Sequence, residues 1–256
     1  MASSRAGKAL AWAWQRRSLA RWGRATARAE RAALADLRRQ SGQALALRAT
    51  LDGFLVRAGA RLAQPRGGAG DPPWPPGADW HWRPPFWHVP TSPAGLAGAA
   101  SRTRIGDGIT LFHDCAESGL TLRQIQGAAD GPAFALALDV LDFDGSFLSL
   151  AIDLPPGAVA GLQRRHLVGL ALDLAAERAA EIFARLNIRH GPNTEQQVRE
   201  LPASSGRVTV EFDLAYTRLN EKRVEAAWLD LIFDKPAMNR IVLGDLTLAR
   251  YPRAEI

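Results

Sequence analysis

From Ile109 to the end of the chain, the sequence is a series of short segments in which apolar and polar residues alternate. A period of two is typical of β-strands that bury one face. In the clearest segment, five alternate side chains are expected to point inward: Val208, Val210, Phe212, Leu214 and Tyr216. The pattern predicts strands at 109–113, 119–125, 133–142, 146–153, 166–175, 180–189, 195–200, 207–216, 225–233 and 240–250.

Turn-forming residues separate these segments, among them Asp144-Gly145, Gly191-Pro192-Asn193 and Lys235-Pro236. No long helical pattern intervenes, and the strands recur about every ten residues, which is typical of all-β sandwiches and jelly rolls. The sequence therefore predicts a mainly β chain whose residues 105–256 form an antiparallel, jelly-roll-like β-sandwich domain.

The N-terminal segment has a different character, because Ser4 to Ala63 contain no proline and are rich in alanine and leucine. This composition favours helix. Ser41-Gly42 is the expected hinge, which gives helices near 5–40 and 43–63. A helical hairpin or a short coiled coil would bury an apolar stripe that includes Trp12, Leu19, Trp22, Leu37, Leu47, Leu51, Phe54, Leu55 and Leu62. Residues 1–64 are thus predicted to form a helical arm.

The arm is strongly basic. Residues 1–66 carry fourteen basic and three acidic residues, a net charge of +11, whereas the remainder carries eighteen basic and 23 acidic residues, a net charge of −5. At helical spacing, one face presents Arg17, Arg21, Arg24, Arg28, Arg31 and Arg38. We expect this amphipathic face to contact an anionic membrane surface or an acidic protein partner. A solvated helix face is the alternative.

Residues 65–104 form a third region that is rich in proline and tryptophan. Nine of the sixteen prolines lie between 65 and 100, together with Trp74, Trp80, Trp82 and Trp87. Proline fixes φ and lacks an N–H donor, so we expect an extended segment. Its rings are predicted to pack on the sandwich, and an aromatic binding patch is the alternative.

Composition restricts the chemistry that the chain can perform. The single cysteine, Cys115, excludes an internal disulfide, and the five histidines have no paired spacing. No metal site and no cofactor are predicted, and no motif of a hydrolase, phosphate loop or dinucleotide-binding enzyme is present. Arginines interrupt the first apolar residues, so a secretory signal is not expected, although an organellar transit peptide is an alternative. No transmembrane segment is predicted.

Two local patterns suggest chemistry and have simpler explanations. His113 and Cys115 would share a face of a strand, which could make a cysteine nucleophile, but no orienting group accompanies them. We therefore favour a part-buried structural thiol. Asp139, Asp142 and Asp144 resemble a calcium loop without its later glutamate, so a hairpin turn at Asp144-Gly145 is the preferred interpretation.

One pair of predicted strands suggests a ligand site. In 225–233, burial of Leu229, Leu231 and Phe233 would turn Trp228 and Asp230 outward. The same reasoning turns further polar residues outward from their strands: Arg185, Asn187, Arg189, Glu211 and Asp213. If these strands are neighbours, an indole lies among planar polar groups, the combination that sugar sites use. The alternative is a solvated charge ladder in which the Pro/Trp-rich segment covers Trp228.

Several stretches carry a family resemblance, among them LFHDC, DGSFLSLAIDLP, EIFARLNIRHGPNTEQQVRELP and VEFDLAYTRLNEKRVEAAWLDLIFDKPAMNRIVLGDLTLARYPRAE. With these stretches, the chain resembles an alphaproteobacterial family that is known only as a domain of unknown function. That resemblance implies no activity, substrate or catalytic residue. In the spacing of their predicted strands, the last 90 residues are also similar to galactose-binding-like jelly rolls and carbohydrate-binding modules. This similarity predicts a fold better than it predicts a ligand.

Together these features predict a cytoplasmic, non-catalytic binding or scaffolding protein, peripheral to the inner membrane face if its arm binds lipid. The sandwich would be the recognition module, with a glycan as one candidate ligand, and the basic arm would provide attachment. A carbohydrate-active or other enzyme on the same sandwich is one alternative. A nucleic-acid-associated protein is another, which we rank lower because the arm's tryptophans lie on its apolar side.

Overall fold

A computed structural model of the chain describes residues 5–62, 75–116, 119–128, 130–202 and 206–253. The chain divides into two compact units, Met1–Leu55 and Val56–Ile256. The three predicted regions, 1–64, 65–104 and 105–256, remain a prediction as independent domains.

The N-terminal unit is helical. Helix α1 spans Arg5–Arg28, a short 3₁₀ turn covers Ala29–Arg31, and helix α2 spans Leu34–Leu62 and enters the second unit. The hinge predicted at Ser41-Gly42 is wrong, because α2 runs through it. A single glycine in a helix costs only about 1 kcal/mol. The observed break at 29–33 contains neither glycine nor proline, so helix propensity gives no signal for it.

The large side chains of the arm's apolar stripe are mostly exposed. Leu19 and Phe54 are each 65% exposed, and Leu47 and Leu51 are exposed as well, whereas Trp22 and Leu37 are partly buried. The helical arm is confirmed, whereas the hairpin or coiled coil that would bury this stripe remains a prediction. The side chains of Trp12, Leu55 and Leu62, which were assigned to the stripe, lie outside the described residues. No helix in the described part of the chain is long and apolar enough to cross a bilayer.

The described residues of the second unit form thirteen strands, and every pairing between them is antiparallel. The strands are β1 Trp80–Trp82, β2 Gly95–Ala97, β3 Thr103–Ile105, β4 Ile109–His113, β5 Leu120–Gln126, β6 Phe134–Val140, β7 Leu148–Asp153, β8 His166–Ala176, β9 Glu181–His190, β10 Asn193–Leu201, β11 Gly206–Asp213, β12 Val224–Asp234 and β13 Asn239–Pro252. A short helix, α3, covers Pro156–Val159.

Two sheets make the sandwich. Sheet A has the order β11-β8-β13-β6-β5-β2, with β1 added to the end of β13, and sheet B has the order β10-β9-β12-β7-β4-β3. Alternate residues of facing strands fill the core, such as Leu150, Leu229 and Leu231 from sheet B and Leu136 and Leu246 from sheet A. The predicted mainly β, antiparallel sandwich with a helical arm is therefore confirmed, and all ten predicted strands are present.

Two local predictions fail where the chain leaves its sheet. Tyr216 is 81% exposed, because β11 ends at Asp213 and the next residues form a 3₁₀ turn. Asp144-Gly145 does not close a hairpin, because it joins β6 of sheet A to β7 of sheet B. Gly145 is needed there, since a Cβ atom would lie 2.9 Å from the backbone nitrogen of Cys115.

The Pro/Trp-rich region becomes part of the sandwich. Phe86 and Trp87 are fully buried in the core, and the indole Nε1 of Trp87 donates a hydrogen bond to the carbonyl oxygen of Leu243. Trp80 and Trp82 lie in β1 and pack against the core. The packing interpretation is thus correct for these four rings, and two of them lie deeper than the expected surface position. Trp74 lies outside the described residues.

Candidate ligand-binding site

The outer face of sheet B carries an open groove of about 740 Å³. We call it the β7 groove. It is lined by Thr110, Phe112, Phe147, Ser149, Ala151, Asp153, Arg185, Trp228, Asp230 and Ile232. Ligand pockets commonly have volumes of 300–1,000 Å³, so the groove has the size of a binding site.

The groove exists because small and large residues alternate between strands. On the outer face of β7, Ser149 and Ala151 make a low floor. They pair across the ladder with Phe112 and Thr110 of β4 on one side, and with Ile232 and Asp230 of β12 on the other. The larger side chains of β4 and β12 are therefore the walls, and the groove runs along β7.

A polar network forms one wall at the middle of the groove. Both Nε and Nη2 of Arg185 donate to Oδ2 of Asp230, at 3.0 and 2.8 Å, and Nδ2 of Asn187 donates to the same oxygen at 2.9 Å. Gln196 of β10 in turn donates to Oδ1 of Asn187 at 2.9 Å. This chain of bonds fixes the guanidinium and the carboxylate in one orientation.

The network leaves some polar groups of the groove without a partner among the described residues. Oδ1 of Asp230, Nη1 of Arg185, the hydroxyls of Thr110 and Ser149, and the indole N–H of Trp228 make no hydrogen bond in that part of the chain. None of these five groups is sealed from solvent. They are donors and acceptors that a bound ligand can reach.

The structure brings four of the predicted ligand residues together. Arg185 and Asn187 of β9 lie directly opposite Asp230 and Trp228 of β12. They are less exposed than an outward position suggested: Asn187 is fully buried and the Asp230 side chain is 7% exposed. Burial is possible because each polar group has a partner on the neighbouring strand.

The other three predicted residues lie elsewhere. Arg189 is exposed and pairs with Glu225, with Nε 3.1 Å from Oε2, and does not line the groove. Glu211 and Asp213 belong to β11, which pairs with β8 in sheet A. Asp213 caps a 3₁₀ turn by accepting from the backbone N–H of Ala215. The assumption that these strands are neighbours therefore holds for β9 and β12 and fails for β11.

Sequence reasoning missed much of the groove: Thr110, Phe112, Phe147, Ser149, Ala151, Asp153 and Ile232. The available signal was in β7, where Ser149 and Ala151 are small residues at alternate positions. A small residue at an outward position leaves space only if larger residues stand beside it. None of the residues that line the groove comes from the described part of the Pro/Trp-rich region, residues 75–104.

The cysteine does not form a nucleophile with His113. Its thiol donates to Oδ1 of Asp144 at 2.7 Å, and this bond to a carboxylate raises the pKa of Cys115. His113 instead donates from Nε2 to the carbonyl oxygen of Ala99 at 2.8 Å. A raised pKa disfavours the reactive thiolate, so the structural interpretation of Cys115 is the better one.

Two of the three aspartates considered for calcium, Asp139 and Asp144, are engaged in other contacts. Asp139 accepts from Nη2 of Arg123 at 2.6 Å, and Asp144 accepts from Cys115. Asp114, next to the cysteine, accepts from the hydroxyl and backbone N–H groups of the Ser146 turn, and the hydroxyl bond is the main cause of its lowered pKa. Within the described ranges, no three His, Cys, Asp or Glu side chains are placed to hold a metal ion.

The fold and the β7 groove together define an antiparallel β-sandwich protein with an open, partly polar groove on one sheet. The chain belongs to the family of unknown function DUF6478, whose model matches residues 1–256. No curated protein matches the sequence.

Similar solved structures include carbohydrate-binding modules of Clostridium thermocellum. A family 11 module in complex with a β-1,3-1,4-mixed-linked tetrasaccharide shares 11% identity at a TM-score of 0.40, covering 61% of this chain and 96% of that chain. The C-terminal family 22 module of Xyn10B shares 9% at 0.38, covering 72% and 100%. The enzymatically active domain of bacteriophage CBA120 tailspike protein 4 shares 7% at 0.40, covering 55% of this chain but only 19% of its own length. At these identities the similarity concerns the fold alone.

Proposed function

We propose that the sandwich is a non-catalytic binding module whose β7 groove holds a carbohydrate. The observation that carries this proposal is the position of Trp228 beside the fixed Arg185–Asp230–Asn187 network. An indole face packs against the apolar C–H face of a sugar ring, and planar polar groups bind its hydroxyls. Because the network is already ordered, a ligand would not have to immobilise it.

The groove supplies the remaining contacts. Oδ1 of Asp230 can accept from a sugar hydroxyl, and Nη1 of Arg185 can donate to one. Asp153, directly opposite Trp228 on β7, adds an exposed carboxylate. Each charged group has an oppositely charged neighbour: Arg185 pairs with Asp230, and Arg104 lies 3.6 Å from Asp153. This balance of charge favours a neutral ligand over an ionic one.

An enzyme on the same groove is the competing function, because Asp153 and Asp230 both line it and a glycosidase uses two carboxyl groups. One of the two must donate a proton to the leaving group. Asp230 is placed as an acceptor, since three N–H groups donate to one of its oxygens. Asp153 lies in the open beside Arg104. The arrangement therefore supports binding more than acid catalysis.

A glycan screen with the full chain tests the proposal. Trp228→Ala removes the aromatic face, and Asp153→Asn keeps the shape of the carboxylate but not its charge. Both variants should lose at least tenfold in affinity for the glycan that the parent binds. Arg185→Ala is less informative, because it leaves the buried Asp230 without its cation and so tests stability.

Asp173→Asn is the matched control for Asp153→Asn. Asp173 is another exposed aspartate beside an arginine, with Nη1 of Arg207 at 3.4 Å from Oδ1, but it lies on β8 of sheet A. It should bind like the parent. If no glycan binds the parent, and Trp228→Ala costs the roughly 3 kcal/mol or more expected for a buried aromatic side chain, Trp228 is a structural residue and the proposal is wrong.

We further propose that the arm attaches the protein to an anionic surface, such as the cytoplasmic face of a membrane. All six predicted contact residues, Arg17, Arg21, Arg24, Arg28, Arg31 and Arg38, are exposed. They do not follow one continuous helix, because the break at 29–33 separates the four in α1 from Arg38 in α2. Leu19 and Leu34 are exposed together with these arginines. Apolar and basic side chains combined in this way are typical of a helix that binds at a membrane interface. We therefore favour lipid over nucleic acid as the arm's partner.

A further inference from the structure

The β7 groove is chemically different at its two ends. Along the groove the residues are Phe147, which immediately precedes β7, and then Ser149, Ala151 and Asp153 of β7, so one end has an aromatic ring and the other has a carboxylate. Asp153 is six positions further along the chain than Phe147, which corresponds to about 20 Å of extended chain. The groove is therefore long enough for a ligand that has two chemically distinct parts.

The walls of the groove also change from apolar to polar along its length. At the Phe147 end, Ser149 lies between Phe112 of β4 and Ile232 of β12, so both walls are apolar. In the middle, Ala151 lies between Thr110 and Asp230.

At the Asp153 end, the opposite wall is Trp228. Arg185 reaches the middle of the groove from β9 through its bonds to Asp230. Of the five polar groups that have no partner among the described residues, four lie in the middle or at the Asp153 end, and the Ser149 hydroxyl lies at the Phe147 end.

The apolar end is open to solvent. Phe147 is 42% exposed, and Phe112 and Ile232 are only partly buried. Two aromatic rings and an isoleucine together form an apolar surface in the β7 groove. An unsubstituted sugar, whose surface carries many hydroxyls, would bury little apolar area against it. An aliphatic or aromatic group would bury that surface and gain the hydrophobic contribution of its own area.

We infer that the β7 groove binds a neutral glycoside that carries an apolar substituent. The sugar lies between Trp228 and Asp153, and the substituent extends along β7 toward Phe112 and Phe147. This inference rests on the proposed carbohydrate function and specifies its ligand class. The ligand is a single glycoside molecule in solution, with a short alkyl or aryl group on the sugar.

Calorimetric titration of the full chain with paired probes tests the inference. For each of several neutral sugars, the methyl β-glycoside is compared with the hexyl β-glycoside below its micelle concentration, and hexanol is the probe without a sugar. Burying two methylene groups already corresponds to about tenfold in affinity. At least one hexyl glycoside should therefore bind ten times more tightly than its methyl partner.

Phe147→Ser tests where the substituent lies. The side chain is exposed at the groove's apolar end, and we expect the hexyl-to-methyl affinity ratio to fall to within about threefold of unity. Val198→Ser is the matched control: Val198 is 49% exposed on β10 of the same sheet, outside the groove lining. It should keep the ratio of the parent. Thermal unfolding of each variant verifies that it is folded.

The outcomes separate the two proposals. Equal affinities for methyl and hexyl glycosides overturn the inference and leave the carbohydrate function standing. A ratio that falls equally in Val198→Ser also overturns it. If no glycoside of either kind binds, or if hexanol binds as tightly as the hexyl glycoside, the carbohydrate function itself is wrong.

Discussion

Arg83 and Asp245 form a bidentate ion pair that ties the Pro/Trp-rich region to the last strand of the sandwich. Nε of Arg83 lies 2.8 Å from Oδ1 of Asp245, and Nη2 lies 2.9 Å from Oδ2. Their side chains are only 9% and 8% exposed. Since both charges have been taken out of water, each depends on the other for compensation.

Arg83→Ala should therefore lower the free energy of unfolding by about 3–5 kcal/mol, because it leaves an uncompensated buried carboxylate. Urea denaturation followed by circular dichroism measures the change. Arg207→Ala is the control, since Arg207 and Asp173 form an exposed pair, which is worth at most about 1 kcal/mol. Similar losses in both variants would show that the buried pair has no special role.

The same region should determine where the folded domain begins. A fragment of residues 67–256 keeps β1, Arg83, Phe86 and Trp87, so we expect it to unfold cooperatively and to keep its β circular dichroism. A fragment of residues 105–256 lacks all of them and should not fold stably, because the core loses two fully buried aromatic rings. Loss of β structure in the longer fragment would mean that the arm completes the core.

The sequence was sufficient to predict where the strands lie in the chain, but not which strands are neighbours in a sheet. Alternation places Leu229 and Leu231 inward whichever strand lies beside them, and both are buried. It contains no information on whether β12 pairs with β9 or with β11. The connections decide that, and Asp144-Gly145, which has the sequence of a hairpin turn, instead crosses from one sheet to the other.

The candidate site shows the same limit. Alternation with the inward Leu229 and Leu231 is enough to place Trp228 and Asp230 on the outer face of their strand. The burial of Asp230 could not be predicted, because it depends on Arg185 and Asn187 of a neighbouring strand. The floor at Ser149 and Ala151 becomes a groove only when the strands on both sides are known.

The arm gives a prediction that depends on salt. Each basic residue near an anionic bilayer contributes about 1 kcal/mol before screening, and screening reduces this as ionic strength rises. The full chain should co-sediment with vesicles that contain anionic lipid at low salt, less at high salt, and not with neutral vesicles. The 67–256 fragment, which lacks the arm, is the control. Equal sedimentation of the two proteins, or none, would leave an acidic protein or a nucleic acid as the arm's partner.

The buried histidine at the start of β8 should make the stability of the sandwich depend on pH. His166 accepts a hydrogen bond at Nδ1 from the backbone N–H of Gln163, at 3.0 Å, and its side chain is 4% exposed. Burial, followed by the nearby Arg250 cation, lowers its pKa below the ordinary value, although the Asp79 carboxylate partly opposes this.

At a pH below about 6.5, the unfolded chain therefore binds a proton at His166 that the folded chain does not. The free energy of unfolding should fall as the pH drops through that value, by at most about 1.4 kcal/mol per pH unit for this one group, until the folded protein is also protonated. His166→Asn keeps an acceptor for Gln163 but cannot titrate. Urea denaturation of parent and variant between pH 7.5 and 5.5 compares their slopes, and the carboxylates common to both cancel in the difference. The parent should lose more stability than the variant over this interval, and parallel slopes would show that the protonation of His166 is not linked to folding.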